Sequence, residues 1–367
     1  MLAVATFFAL TTLAAQPGPP MTSCWNFTKP VSVKAGLAVD RSGVYLVDSE
    51  NRVTALDRRR GSVIWTAELG GSVDAEIVNA LSSLVVLTKT QSSDPGASGY
   101  FLRAISKETG ITRWVTKLPA ARNYRLQRVS ENLFLVEDGV TVSAINVADG
   151  AKKWERTGVT AIRSDGRNLA GTLVLVKDSD GIQILSTIDG RVLGRLGRKP
   201  FPTVFASRLP ETKIFGDSRG IVESKSDGEG VEWTYKTGGA VSDLIVVGDE
   251  VIAASADNFL YSISLDSGNI EWKRKMPGRI NSTHLLGVEK IVLTVVGDKS
   301  AYILDISDGK FLEQLVLPGE EEYIGHPLKG DAEFVAALTS KGVAAFASGC
   351  RTEKAANKAA ALKKSLY

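Results

Sequence analysis

A chain of 367 residues with 44% apolar and 23% charged residues has the composition of a globular protein, and its 35 glycines imply many turns. The formal charge of +3 does not mark a nucleic-acid binder. The last 17 residues, RTEKAANKAAALKKSLY, hold five basic residues and one acidic, so the rest of the chain carries about −1 and the sequence shows no basic cluster on the folded body.

In chain order, residues 1–28 hold no charge, and MLAVATFFALTTLAAQ is an apolar run of signal-peptide length that is short for a membrane span. Residues 1–20 are expected to be a signal peptide or a retained N-terminal apolar segment, which places the chain in the periplasm or outside the cell. Cys24, in MTSC, is set apart from the apolar run by the PGPP of 17–20, an arrangement that argues against lipidation.

From residue 53 onward a unit of about 40 residues repeats. VTALDRRRGSVIW ends on Trp65, four residues after Gly61; the glycine recurs at Gly110, Gly150, Gly190, Gly268 and Gly309, with a copy one residue short at Gly230. Trp114, Trp154 and Trp272 stand four residues after their glycines and Trp233 three after. Before each glycine comes an alternating segment (VTALD, LRAIS, VSAIN, IQILS, LYSIS, AYILD) with the period of two of a strand. Further upstream lies a series of eight short apolar runs at 44–47, 84–87, 133–136, 173–176, 214–215, 251–254, 291–296 and 334–338. Turn formers rich in Asp, Asn and Gly join the two series, as in hairpins. Four short strands per 40 residues, without a 3.6-residue pattern, predict an all-β propeller of eight blades over residues 21–350, followed by a basic Ala/Lys-rich tail at 351–367.

The eighth copy, KGVAAFASGC, ends before any tryptophan. If Ala345 matches Ala55, the missing outer strand is CWNFTKP, with Trp25 in the place of Trp65, so the N-terminal strand completes the last blade and closes the ring. That register brings Cys24 beside Cys350. In an exported chain the pair reads as a disulfide, the alternative being two buried free thiols.

Convergent chemistry is sparse. His284 and His326 sit one per blade near the starts of blades seven and eight and read as loop residues rather than a metal set. Asp57, Ser106, Asn146, Ser186, Ser226, Ser264 and Asp305 share one motif position, where a short polar side chain caps its turn. The segment 88–100, TKTQSSDPGASGY, reads as a long loop enlarging blade two. The tail reads as a solvated helix with no clear apolar stripe.

The motif Ala-x-Asp-x-x-x-Gly-x-x-x-Trp, carried between Trp25 and Cys350, resembles the repeat of the PQQ-type β-propellers. What the resemblance implies is structural: Trp25, Trp65, Trp114, Trp154, Trp233 and Trp272 form a belt, each indole stacked on its own repeat's glycine peptide and against the neighbouring blade. Quinone-dependent dehydrogenases of that family use adjacent cysteines and a calcium site; this chain has no such cysteine pair, and no cofactor, metal or catalytic residue is expected. Blade number, length and export are similar to those of the BamB-like scaffolds of outer-membrane protein assembly. That resemblance implies a monomeric, non-enzymatic scaffold, peripheral to the membrane at most, whose partners are envelope proteins including the assembly barrel. Ile162 and Arg163, in VTAIRSDGRN, are the apolar and cationic contacts it suggests, against the plain alternative of an inter-blade connection. A ligand-binding or sensory propeller using the central channel is the second class of function, and a quinoprotein the third.

Overall fold

The computed structural model describes residues 20–80, 82–91, 98–119, 124–130, 133–161, 173–178, 181–196, 202–208, 212–225, 230–317 and 319–350. The chain forms an eight-bladed β-propeller, with no helix among the described residues. Blade one shows the plan: strands Leu37–Val39, Val44–Val47, Arg52–Leu56 and Val63–Glu68 pair antiparallel in that order. Its first strand lies against the first strand of blade eight, as such strands do around the channel. Blades two to seven follow at 72–118, 125–157, 160–196, 202–236, 241–275 and 280–316.

Local chemistry explains the hairpins. In the turn after Val47, Asp48 Oδ1 accepts the N–H groups of Glu50 and Arg52 at 2.9 and 3.0 Å while Asn51 takes φ 60°. Blade five repeats it with Asp217, which accepts from Arg219 and Ile221 at 2.9 and 2.8 Å around Gly220 at φ 84°. An Asx turn with a left-handed residue reverses the chain in a few residues, and Asn and Gly tolerate that conformation. Blade two departs from the expected long loop: Ser83–Thr90 and Gly99–Ser106 extend the hairpin well into 88–100, and the short strands Ser72–Val73 and Val78–Asn79 both pair with Ser83–Thr90. Pairing the backbone satisfies donors and acceptors that a loop would leave to water.

The core is a ring of inter-blade layers rather than one centre. Val44–Val47 is buried at every residue because both faces of its sheet are covered. Val47 and Val53 pack with Leu84 and Ile105 of blade two, and Leu46 and Leu56 pack with Phe334 and Leu338 of blade eight. At about 25 cal/mol per Å² of apolar surface, these layers supply the main driving force for closing the ring.

Closure follows the expected register. Met21–Phe27 pairs antiparallel with Gly342–Ser348 as the outer strand of blade eight, and Trp25 faces Ala345 as Trp65 faces Ala55. Cys24 and Cys350 are disulfide-bonded, with Cα atoms 5.3 Å apart and 326 positions between them in sequence.

The tryptophans correct one expectation. No indole lies on its own repeat's glycine; each covers the glycine of the next blade. Trp25 lies on Gly61, Trp65 on Gly110, Trp114 on Gly150, Trp154 on Gly190, Trp233 on Gly268 and Trp272 on Gly309, so close that a Cβ there would fall 2.5 to 2.7 Å from the ring. Each indole N–H donates to a carbonyl of the same turn, at Arg58, Lys107, Val147, Thr187, Leu265 and Ile306, over 2.7 to 3.0 Å. Own-repeat stacking is geometrically unavailable: the Gly-to-Trp segment turns the chain into the outer strand, and the indole projects from that strand's far face onto the neighbour.

Two blades lack the tryptophan. Gly194 faces Ile184 in blade four and Glu313 faces Ile303 in blade seven, both at the register position that Trp65 holds opposite Ala55. In each case no glycine of the next blade is placed to receive an indole among the described residues. Blade five has the shortened copy, whose Gly230 has no atom within 4 Å of a Cβ built on it; blade eight has no covalent turn, because its outer strand arrives from the N-terminus. There Glu313 Oε2 accepts the backbone N–H of Met21 at 2.8 Å.

Trp154→Ala is expected to cost about 3 to 5 kcal/mol by opening a cavity. Gly190→Ala is expected to be comparably damaging, and the double variant to lose clearly less than the sum, because the two residues make one contact; urea denaturation of the four proteins checks this. By contrast Gly194→Trp is expected to bring no stabilisation, since no turn awaits the ring. Reducing the disulfide, or Cys24→Ser with Cys350→Ser, is expected to lower unfolding free energy by up to about 5 kcal/mol, measured by the same denaturation with and without reductant.

Candidate functional site

A channel runs where the first strands meet, and the described surface there is polar. Those strands bulge at a recurrent place, between Val241 and Asp243, Ile280 and Ser282, and Tyr323 and Leu328. The extra residues, one in each of the first two cases and three between Tyr323 and Leu328, re-aim side chains along these strands. A cavity results, lined by Ser242, Asp243, Asn281, Thr283 and Lys329, with Glu76 reaching it from blade two.

Some of its polar groups tie neighbouring blades together, and others pair within a blade. Thr283 donates to the Asp243 carboxylate of the preceding blade, Asn281 Nδ2 donates to Gly325 O of the next at 2.8 Å, and Ser282 shares a hydrogen bond with Thr294 at 2.8 Å. His284 lies on the strand Ile280–Leu286, not in a loop as the sequence suggested, and its Nε2 stands 3.1 Å from both N and O of Gly330. His326 falls in the strand Tyr323–Asp331 of the next blade. Alternation of the blade-seven strand was masked in the sequence by its run of polar residues.

The shared motif position acts as a turn cap. Asp57 Oδ1 accepts the N–H groups of Arg59 and Arg60 at 3.0 and 2.7 Å, Asp305 that of Ser307 at 2.8 Å, and Asn146 that of Ala148 at 3.1 Å. Titration is displaced by comparable local causes. Burial works against the Asp217 carboxylate, yet the N–H of Ile221 and the Arg219 side chain and N–H hold it below its ordinary range. Burial, and then its bond to Asp257, pushes Tyr261 up to about 12. Glu250 is raised chiefly by burial. Asp217 lies in a blade-five turn while Glu250, Asp257 and Tyr261 share the hairpin of blade six, and among the described residues no acid and base face one another across a cleft. Among the described residues no group of three His, Cys, Asp or Glu is placed to hold a metal ion, and no helix is long and apolar enough to cross a membrane.

Sequence reasoning missed Arg58. Its guanidinium makes a two-oxygen contact with Asp331 of blade eight at 2.6 and 2.7 Å, donates to Asp40 O at 3.2 Å and lies 4.6 Å from the centre of the Phe334 ring, while its carbonyl receives Trp25. One turn position later in the ring, Lys107 pairs with Asp40 at 2.5 Å. The signal was a basic residue directly after the capping position in blades one and two, where later blades carry Val147, Thr187, Leu265 and Ile306. Ile162 and Arg163 lie outside the described residues, between the blade-four strands Thr160–Ala161 and Leu173–Lys177.

Comparison with known proteins agrees with this architecture. One family model, described as outer membrane protein assembly factor BamB, matches residues 19–157, 97–203 and 202–346. A protein of that name from Legionella pneumophila (strain Paris) is 25% identical over 151 residues, 40% of this chain; the match spans only 38% of that relative's length. The crystal structure of BamB from Moraxella catarrhalis superposes with a TM-score of 0.61 at 17% identity, covering 89% of this chain and 97% of that one. The computationally designed Ika8 protein gives 0.67 at 13% identity, covering 89% and 98%, and the C-terminal WD40 domain of Sif2 gives 0.67 at 11%, covering 88% and 99%. At such identities the structural likeness shows the propeller alone, whereas the family model spans nearly the whole ring: the chain belongs to the family of PQQ-like propellers described as outer membrane protein assembly factor BamB.

Proposed function

We propose that this chain is a non-enzymatic scaffold of the bacterial cell envelope, acting in the periplasm, that presents propeller loops to partner proteins of outer-membrane protein assembly. The observation that carries this reading is the family match over residues 19–346 of a ring stapled blade to blade. Such a ring holds its loops at fixed separations, and rigid presentation lowers the ordering cost of binding. Asn281 and Thr283 support the same reading, because each makes a hydrogen bond to a neighbouring blade.

Within this reading, residues 1–20 direct export or anchor the chain, 21–350 form the scaffold and 351–367 form an accessory tail. Ile162 and Arg163 serve as contacts to the periplasmic part of the assembly barrel. An apolar and cationic pair fits the composition of binding hot spots, in which arginine is enriched.

Affinity capture from envelope extracts with the full chain as bait is expected to enrich the outer-membrane assembly barrel; capture without any assembly component would overturn the role. Arg163→Ala is expected to leave thermal unfolding within about 0.5 kcal/mol of the parent, the effect of replacing a residue that serves a partner rather than the core, while reducing the captured barrel several-fold.

A further inference from the structure

The sequence alone showed no basic cluster on the folded body, but the fold brings Arg41 beside Arg59 and Arg60 and gives blade one an unpaired basic rim. Its turns at 40–43 and 57–61 lie at one end of its sheet and are joined by the bond from Arg58 to Asp40 O. Arg41, Arg59 and Arg60 project from these turns exposed, and none of their guanidinium groups has an ion pair or a hydrogen bond among the described residues. The surrounding carboxylates are already engaged: Asp40 by Lys107, Asp331 by Arg58, and Asp57 by the two backbone N–H groups of its own turn. Glu333, on the adjoining turn of blade eight, and Glu108, directly after Lys107, stand exposed at the edges of this group. Directly after the arginines come Val63 and Ile64, 49% and 53% exposed on the outer strand.

Both ends of the chain join the ring at this rim. Met21 pairs with Ser348, so the start of the first strand and the end of the last lie together, and the disulfide fixes them there. Ser348 N–H donates to Glu333 O in the blade-eight turn that also bears Asp331, the partner of Arg58; the chain ends therefore lie on the same face as the arginine turns. Twenty uncharged, mainly apolar residues precede Met21, and seventeen residues with five basic groups and one acidic follow Cys350.

We propose that this rim of blades eight and one rests on an anionic lipid surface, with Arg41, Arg59 and Arg60 meeting headgroup phosphates and Val63 and Ile64 entering the interface. Arginines with nearby aliphatic side chains suit a phosphate layer above acyl chains, and an apolar leader and a basic tail issuing from the same edge favour lipid over an acidic polypeptide. The proposal goes beyond the scaffold reading and does not depend on it.

The test is co-sedimentation of the full chain with vesicles of phosphatidylglycerol and phosphatidylcholine, or of phosphatidylcholine alone, at low and high salt. Preference for the anionic vesicles that salt removes is expected, with Arg41→Glu, Arg59→Glu and Arg60→Glu together weakening it at least roughly tenfold. Reversing three lysines elsewhere, Lys153→Glu, Lys273→Glu and Lys275→Glu, should change it far less. Val63→Ser with Ile64→Ser should lower the part of binding that resists salt. Far-UV dichroism and an intact disulfide establish that each variant is folded. Equal binding to both vesicle types, or a triple arginine variant that binds as the parent does, overturns the proposal. So does arginine-dependent binding to polyglutamate without binding to the anionic vesicles.

Discussion

Six indole rings, each laid on a glycine turn of the following blade, set the terms for the rest of this structure. The contact needs three things at once. The turn must place its glycine at a φ between +66° and +73°, the glycine must lack a Cβ so that the ring can approach, and a carbonyl of the turn must face the indole N–H. The turn is built to supply them, since the N–H of Gly61, Gly110, Gly150, Gly190, Gly268 and Gly309 donates to the carbonyl of the capping residue four positions earlier. An aromatic face and a directed hydrogen bond together fix both the distance and the rotation between neighbouring blades. Ring geometry thus follows from a local rule repeated in sequence, as in other repeat architectures where each unit touches only its neighbours.

The exceptions support the rule, because tryptophan is missing where its receptor is missing. At the seam between blades seven and eight, the substitute Glu313 holds the first N–H of the closing strand, and Arg58 clamps blade one to blade eight from the other side. Between blades four and five the compensation is of another kind. Lys213 and Lys225 stand at the register positions that Val44 and Leu56 occupy in blade one, and Lys225 pairs with Glu223 at 3.0 Å. Lys213 is only 1% exposed. Among the described residues no shared apolar cluster joins these two blades, although one joins every other neighbouring pair. On the strand face that carries Lys213, Phe215 packs on Phe205 with ring centres 5.3 Å apart, so the seam is only partly ionic, and its ionic part gains little free energy relative to an apolar layer because desolvation offsets the attraction. The ring therefore relies on its other seven seams to hold this one in register.

Much of this was legible in the sequence because propeller blades are local. Alternation, turn residues and a 40-residue period specify a meander without long-range information, and the absent eighth tryptophan specified which strand closes the ring. The disulfide followed from that register, which sets Cys24 opposite the end of the last strand. The receiving partner of each tryptophan was not legible. Gly61 and Trp65 sit four residues apart in the same motif, and linear proximity suggested that they touch; the direction in which an outer-strand side chain projects depends on a bulge, here between Ala55 and Leu56, that composition does not reveal. Arg58 was hidden for a related reason. Within RRR three arginines look alike, and only the neighbouring blade decides that the first is buried against Phe334 and Asp331 while the next two remain in solvent.

That division between adjacent arginines bears on how such a fold acquires function. A stapled ring has almost no freedom to change its core, so new properties accumulate where the staple leaves side chains unconstrained, in the turns and on the outer strands. The capping residue and the glycine of each turn are committed to the ring, which leaves the two or three residues between them open to vary. In blade one the last two of those positions are Arg59 and Arg60, in blade six they are Asp266 and Ser267, and in blade seven Ser307 and Asp308. One rigid frame can thus carry different chemistry on different sides, so that contacts to separate partners can be altered independently without disturbing the interfaces that keep the ring closed.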